Sequence, residues 1–252
     1  MILPRVIPVL LLKNTGLIKT VKFKDPVYLG DPRNAVKIFN EREVDELVIL
    51  DTQATPQNAP IQYSLLREIV TEAFMPIGYG GHVTSVDEAR SLVTSGIEKI
   101  ILCSAAFQNP ELVTQMSKFA GSSSTVVCID YKKNLWGRSE VYISGGRKGT
   151  GKNPLEFARE MEKRGAGELI VNSIDLDGTM NGYDLKTLKE IASRVDIPVV
   201  ACGGAGKLND FRQAIDAGAS AAAAGSMFVF HGKHRAVLIN YPSRAELRQT
   251  LT

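Results

Sequence analysis

The sequence has few of the residues that mark several common classes of protein. It contains three cysteines in 252 residues, and no two of them form a CxxC pair. This spacing predicts neither a zinc site nor a disulfide framework, and thiols buried in apolar segments are typical of a reduced, cytoplasmic protein. Lysine and arginine exceed aspartate and glutamate by only 30 to 27 and are scattered along the chain. We therefore expect no nucleic-acid-binding surface.

Long apolar runs are also missing. The first segment, MILPRVIPVLLLK, is apolar, but Arg5 interrupts it and no small-residue cleavage site comes after it. We therefore do not expect a signal peptide. No run approaches the roughly 20 apolar residues that cross a bilayer, so the sequence predicts no membrane span.

What the chain does have is a regular alternation of short apolar runs and helical patterns. The runs suit strands that are buried on both faces, and Asp, Asn or Ser opens several helical patterns that end at glycine. This order predicts an α/β fold, a (β/α)8 TIM barrel rather than an open doubly wound sheet, as a single domain over residues 1–252. The predicted strands are 6–12, 46–50, 76–80, 99–103, 125–130, 168–173, 198–202 and 221–225.

The sequence also repeats itself at about half its length. Segment 76–107 resembles segment 198–228, and matching residues lie 122 positions apart, as in Pro76 and Pro198, Gly96 and Gly218, and Ser104 and Ser226. A repeat of this length predicts two duplicated half-barrels, roughly 1–122 and 123–252. In this duplication, Leu11 at the end of strand 1 corresponds to Asp130 at the end of strand 5.

Candidate binding residues come directly after the predicted strands, where barrel enzymes place their active sites. Glycines there let backbone N–H groups approach a phosphate, although they also suit simple tight turns. We predict that a phosphorylated small molecule binds at Gly81 and Ser104 in the first half, and in the second half at Asp177, Gly178, Gly203, Gly204, Gly225 and Ser226. Asp130 points into the same mouth and is a candidate general acid or base. No metal site is predicted.

The opposite end of the barrel carries four charges. Arg5, Glu46, Lys99 and Glu168 stand at the starts of strands 1, 2, 4 and 6. Buried charges need partners, so two cations and two anions at one level predict a closed ring across the barrel floor. The alternative is four strand ends that water solvates separately.

Several stretches carry a resemblance to a known family: DELVILD, SGGRKGTG, SIDLDGTMNGYD and VACGGAGKL. Over nearly its whole length the chain resembles the HisF family, the cyclase subunit of imidazole glycerol phosphate synthase in histidine biosynthesis. The resemblance implies that a HisH-like glutaminase docks on the N-terminal face of the barrel. Ammonia would then pass the floor charges, which match the family's ammonia gate, and react at the mouth with a bisphosphate. It implies no cofactor, and Lys19, in a mobile loop after strand 1, matches a catalytic family lysine.

The chain departs from the family pattern at the mouth. The family uses two aspartates, at the ends of strands 1 and 5; Asp130 fits the second, but Leu11 stands at the first. His82 replaces a glycine and Cys103 replaces an asparagine. With Leu in place of Asp, the segment IPVLLLKN resembles a divergent branch of the family, in which the barrel conducts ammonia for lipopolysaccharide biosynthesis. There an ATP-dependent sugar amidotransferase converts an acetamido group to an acetamidino group.

Three other interpretations stay open. The chain is a cyclase, a lyase of the histidine pathway, that works despite Leu11; or a sugar-phosphate isomerase of the sister family; or a binding scaffold without catalysis. Since a leucine cannot transfer a proton, the sequence leaves open whether the chain is itself an enzyme.

Overall fold

Eight strands form the centre of the molecule. The structure is a computed structural model, and it describes residues 3–134, 136–232 and 234–252. All eight predicted strands are present, with ends that differ by at most a few residues. They are β1 Arg5–Lys13, β2 Leu47–Asp51, β3 Ile77–Gly80, β4 Lys99–Leu102, β5 Thr125–Lys133, β6 Glu168–Ser173, β7 Val199–Cys202 and β8 Ala221–Ala224.

The eight strands close into a barrel. Each pairs in parallel with the next, and β8 returns to β1 with Arg5 opposite Ala221. Because all the strands run in one direction, their carboxyl ends lie together on one face, the mouth, and their amino ends lie on the opposite face, the floor. The (β/α)8 barrel predicted from the sequence is confirmed.

A helix comes after each barrel strand, as predicted. Side chains that accept from backbone N–H groups begin several of them, for example Asp31, Ser85 and Asn153, because the first turn of a helix leaves those donors free. The helices are α1 Pro32–Glu41, α2 Tyr63–Thr71, α3 Val86–Thr94, α4 Glu111–Ala120, α5 Pro154–Lys163, α6 Leu185–Ala192, α7 Leu208–Asp216 and α8 Arg244–Leu251.

The strands separate two apolar layers. In β1, Val6, Leu10 and Leu12 pack outward against the helices, whereas Ile7, Val9 and Leu11 belong to the cluster inside the barrel. Alternate residues of a strand point to opposite faces. Arg5, Ile7, Val9 and Leu11 therefore form a column from the floor to the mouth.

Two features after the strands were not predicted. A β-hairpin, Gly16–Val21 with Lys24–Gly30, comes after β1, and strand Ser139–Ile143 pairs back on the end of β5. The prediction that Lys19 lies in a loop after strand 1 is wrong, because Lys19 is a buried residue of the first hairpin strand. Short helices, Ala54–Gln57, Ser104–Gln108 and Ser226–Val229, also precede three of the long ones.

Within the described residues, every helix is too short or too polar to cross a membrane.

Candidate functional site

A cavity of about 690 Å³ opens at the mouth of the barrel. Every barrel strand contributes to its wall near the carboxyl end, and the hairpin after β1 and the segment after strand Ser139–Ile143 add residues at the rim. The strand contributions include Leu11, Leu50, Gly80, Ile101, Asp130, Asn172, Cys202 and Ala224. All predicted residues of the mouth, from both halves of the chain, therefore meet around one space.

Asp130 lies in the wall of this cavity among weak and strong hydrogen-bond donors. Asn172 Nδ2 donates to Asp130 Oδ1 at 2.7 Å, and the Cys103 thiol donates to Oδ2 with a sulfur–oxygen distance of 3.4 Å. Burial raises the pKa of Asp130, while these hydrogen bonds, with one from Cys128, oppose the rise. A carboxyl group with a raised pKa is suited to exchange a proton. The role of Asp130 as a general acid or base stays a prediction.

Leu11 occupies the corresponding place at the end of β1. Leu11 is 9% exposed and packs in the apolar cluster inside the barrel. Leu50, its partner in the pairing of β1 with β2, also lines the cavity. At the corresponding ends of β5 and β1, the mouth therefore presents the Asp130 carboxylate and the aliphatic Leu11, and not two carboxylates that could form a proton-transfer pair.

Lys19 reaches across the mouth to the second half of the chain. Its Nζ donates to Asp177 Oδ1 at 2.9 Å and to Oδ2 at 3.1 Å, and the lysine is 4% exposed. The Lys22 amide donates to the Asp177 carbonyl at 2.9 Å, so backbone and side chain both fasten the hairpin there. Asp177 was predicted to bind a ligand; here Lys19 occupies its carboxylate.

The second half-site consists of Gly203, Gly204, Gly225 and Ser226. Gly203 and Gly204 have φ angles of 82° and 124°, and a Cβ on Gly204 would lie 2.1 Å from the Gly182 carbonyl oxygen, so glycine is required there. Ser226 is 3% exposed, and its Oγ has no hydrogen-bond partner among the described residues. A hydroxyl buried without a partner in a cavity wall is suited to a ligand.

The first half-site, Gly81 and Ser104, differs in its hydrogen bonds. The Ser144 amide donates to Ser104 Oγ at 2.9 Å, and the His82 amide donates to Thr55 Oγ1 at 3.1 Å. His82 has a φ of 53°, in the region that favours glycine. Groups of this half-site are therefore already used by the chain itself.

The floor charges form the ring that the sequence predicted. Lys99 Nζ donates to Glu46 at 2.8 and 2.9 Å and to Glu168 at 3.2 and 3.3 Å. Arg5 closes the ring, with Nη1 donating to Glu46 and Nη2 to Glu168 Oε2 at 2.7 Å. The glutamate side chains are only 4% and 8% exposed, so the alternative of separately solvated strand ends is wrong. The role of this floor ring as an ammonia gate stays a prediction.

Uncharged side chains fill the barrel between the floor ring and the mouth. Most are aliphatic, and those of β8 are alanines. The cluster consists of Ile7, Val9, Leu11, Ile18, Val48, Ile101, Val126, Cys128, Ile170, Val200, Ala221 and Ala223.

Sequence reasoning missed several residues of the site, and Asn172 is the one among them that contacts Asp130. Asn172 holds Asp130, and its signal was an amide near the end of the apolar run ELIVNS. The predicted burial of all three thiols is right for Cys128, whereas Cys103 and Cys202 are partly exposed at the cavity. No group of three or more His, Cys, Asp or Glu side chains in the described part of the chain has the arrangement of a metal site.

Fold and site together define a TIM barrel with a charged floor and a glycine-rich mouth, and comparison with known proteins places it in a family. The family described as "Histidine biosynthesis protein" matches residues 5–235. A Pseudomonas aeruginosa protein, provisionally named imidazole glycerol phosphate synthase subunit hisF2, is 47% identical over 243 residues, which cover 96% of this chain and 97% of that protein.

Two further relatives are similar to this chain over nearly its whole length. A Vibrio vulnificus protein, provisionally named subunit hisF3 of the same synthase, is 44% identical across 100% of this chain and 97% of its own. The imidazole glycerol phosphate synthase subunit HisF of Thermococcus onnurineus is 41% identical across 93% of this chain and 92% of its own. The chain belongs to the HisF family.

Proposed function

We propose that the chain is the barrel subunit of a glutamine amidotransferase system and conducts ammonia rather than performing the cyclase reaction. A HisH-like glutaminase docks on the floor and releases ammonia, which passes the floor ring and crosses the barrel to the mouth. A third, ATP-dependent enzyme then uses the ammonia to convert an acetamido group of a surface-polysaccharide sugar to an acetamidino group. Glutamine and ATP are supplied in the cytoplasm, where this system would work.

One observation carries the proposal: the floor ring is complete, while the mouth has Leu11 in place of a proton-transferring carboxylate. Ammonia carries no net charge, so it costs far less to desolvate than an ion does, and the uncharged interior between the two ends suits its passage. Ammonium and other ions would have no side chain of opposite charge to pair with inside the barrel. The provisional names of relatives as second and third HisF subunits also fit a paralogue released from histidine synthesis.

The first test measures cyclase turnover with ammonium chloride and the family's bisphosphate substrate. We expect the chain to be at least about a thousandfold slower than a HisF with both aspartates, because a catalytic pair that has lost one member loses most of its rate. Leu11→Asp should raise turnover, while Leu11→Asn, of the same size but without the acid, should not. Ordinary cyclase rates in the unchanged chain would contradict the proposal.

A second test traces the nitrogen. Glutamine labelled with ¹⁵N in the amide is supplied to the chain, a HisH-like glutaminase and the sugar amidotransferase in excess unlabelled ammonium. Passage through the barrel predicts labelled product. Lys99→Met should reduce the labelled fraction, whereas Lys37→Met, which alters the exposed pair with Glu72, should not. Glutaminase turnover that does not change on mixing would favour a scaffold instead.

The cyclase of histidine biosynthesis is the second candidate. Asp130 is present with its hydrogen-bond donor Asn172, and Lys19 lies at the mouth. These residues could transfer protons even though position 11 has no carboxylate. Growth of a histidine auxotroph that lacks its own cyclase would favour this function. Failure to grow with the protein folded and abundant would count against it. The isomerase interpretation has no use for the floor ring.

A further inference from the structure

We propose that the edge of the mouth is a docking surface for an acidic protein face, that of the enzyme that takes up the ammonia. The inference rests on the proposed function, in which a third, ATP-dependent enzyme receives ammonia at the mouth, and it adds the surface of this chain that binds that enzyme. Three segments form this surface, which we call the basic rim: 16–30, 132–149 and 230–238.

Contacts join the three segments beside the cavity. A Cβ on Gly146 would lie 3.0 Å from Phe23 Cδ2, so the first hairpin meets segment 132–149 over the mouth. Arg235 Nη2, in the third segment, donates to the Gly178 carbonyl at 3.3 Å. The first hairpin lies against Gly178 as well, since a Cβ there would overlap the Thr20 carbonyl oxygen. Because Phe23 and Gly178 both line the cavity, the basic rim borders its opening as one surface.

The basic rim carries most of the exposed large apolar side chains. Among the described residues there are seven such side chains, and five of them belong to the rim: Val27, Tyr28, Trp136, Val237 and Leu238. Single apolar residues are ordinary on a protein surface, but a group of them beside a cavity indicates a binding site. Tryptophan, tyrosine and arginine are also the residue types that contribute most to binding at protein interfaces.

The turn that carries Trp136 is fixed by its own hydrogen bonds. Asn134 Oδ1 accepts from the Trp136 amide at 3.0 Å and from the Arg138 amide at 3.1 Å, and the Asn134 amide donates to the Arg138 carbonyl at 2.9 Å. Little backbone entropy is therefore lost there when a partner binds. The indole adds almost nothing to the core, since Trp136 is 86% exposed. A large ring presented on a fixed turn is suited to enter a pocket of another protein.

The charge of the basic rim sets the charge of its partner. The three segments contain ten of the chain's 30 lysines and arginines but only two of its 27 acidic residues, so the fold gathers cations that are scattered in the sequence. Seven of these cations are exposed and form no salt bridge with the described residues: Lys22, Lys24, Lys133, Arg138, Arg147, Lys148 and Arg235. Unpaired charges of one sign around an opening attract a surface of the opposite sign.

A protein fits the basic rim better than other polyanions do. The exposed apolar side chains lie on three separate segments beside a cavity of about 690 Å³, so their partner covers an opening. Ammonia that leaves this opening has to enter a site that binds ATP and a sugar, which only a protein contains. A protein that covers the rim also excludes bulk water, which would protonate the ammonia. An anionic bilayer or a nucleic acid would cover the rim without receiving ammonia.

The test measures binding of the purified ATP-dependent sugar amidotransferase to the full chain by surface plasmon resonance. Trp136→Ala should raise the dissociation constant at least about tenfold, as for an aromatic residue at the centre of an interface. Its matched control is Phe74→Ala. Phe74 is 91% exposed but lies between α2 and the start of β3, on the side of the floor, so this variant should change the constant less than about twofold.

The charge of the rim is tested by the association rate at several salt concentrations. The rate should fall as salt rises, because exposed charges are screened. Arg138→Glu should lower the rate at least about fivefold at low salt, since it replaces attraction by repulsion. Arg159→Glu, at an exposed arginine of α5 outside the rim, should have less than about a twofold effect.

All four substitutions change exposed side chains, so the Tm of each variant should equal that of the unchanged chain. The proposal is overturned if the amidotransferase does not bind, if Trp136→Ala binds as the unchanged chain does, or if salt leaves the association rate unchanged. It is also overturned if Trp136 is needed instead for binding to vesicles of phosphatidylcholine and phosphatidylglycerol, or to an oligothymidylate.

The transfer of ¹⁵N separates this proposal from the proposed function. Binding that depends on Trp136, together with an absence of labelled product, would support the docking surface and contradict the conduction of ammonia. Labelled product, together with binding that Trp136→Ala does not change, would support conduction and contradict this docking surface.

Discussion

The floor and the mouth of this barrel differ in how completely their polar groups are paired. At the floor, two cations and two nearly buried glutamates satisfy one another in a closed ring. At the mouth, Ser226, Thr20 and Asn172 each leave a buried polar atom without a partner in the described chain. The polar groups of the floor are paired with one another, whereas the mouth retains buried polar atoms without partners in the described residues. The two ends therefore respond differently to substitution.

The largest effect is expected at the floor. Glu46→Ala leaves Arg5 and Lys99 with one carboxylate between them, and removal of one partner from a buried ion pair costs about 3 kcal/mol. Urea unfolding measures the loss. Its control is Glu111→Ala, whose exposed pair with Arg164 should be worth no more than about 0.5 kcal/mol. If both variants lose the same small free energy of unfolding, the floor charges are stabilised by water and not by their ion pairs.

An intermediate effect is expected at the ion pair that fastens the first hairpin to the mouth. Lys19→Met keeps the apolar stem but leaves the Asp177 carboxylate, with a side chain 12% exposed, without its cation. We expect a loss of about 2 kcal/mol in the free energy of unfolding, because the desolvated charge has lost its partner.

Limited proteolysis gives a local measurement of the same change. Cleavage between residues 16 and 30 should become faster in Lys19→Met, since the hairpin is then held by fewer contacts. Lys37→Met, at the exposed pair with Glu72, should leave both stability and cleavage unchanged. If both lysine variants behave alike, the pair does not hold the hairpin.

The fold and the floor ring were predictable because both depend on local patterns. Apolar runs with capped helices between them fix the barrel, and alternation along β1 carries Arg5, Ile7, Val9 and Leu11 to the interior. Four charges at the starts of strands then have to meet across one narrow floor. The register of the paired strands places the four charged residues at the same level of the barrel.

The contacts of the mouth were not predictable in the same way. Lys19 and Asp177 are 158 residues apart, and Ser104 and Ser144 are 40 apart. Each contact depends on how a hairpin folds over the barrel, which no periodicity in the sequence encodes. His82 and Cys103 already indicated from the sequence that the first half-site departs from the family pattern, but the hydrogen bonds of Ser104 and Ser144 became visible only in the structure. Side chains that bind across loops are where sequence patterns carry the least information.

The smallest effect is expected from the carboxyl group of the mouth, and pH reveals it. Burial raises the pKa of Asp130, so between the ordinary value of about 3.9 and the raised value the folded chain holds a proton that the unfolded chain has released. The free energy of unfolding contributed by this group therefore falls as pH rises through that interval.

Asp130→Asn removes the titration but retains an oxygen that can accept from Asn172. The variant should gain stability relative to the unchanged chain as pH rises from about 4, reach a constant advantage above the raised pKa, and lose that advantage below about pH 3. Urea unfolding at a series of pH values measures the difference. Asp87→Asn, at a side chain 96% exposed, should lack this trend. If the advantage of Asp130→Asn is the same at pH 3 and pH 7, folding does not change the pKa of Asp130. The mouth would then resemble the floor, in that its carboxylate would bear no cost of burial.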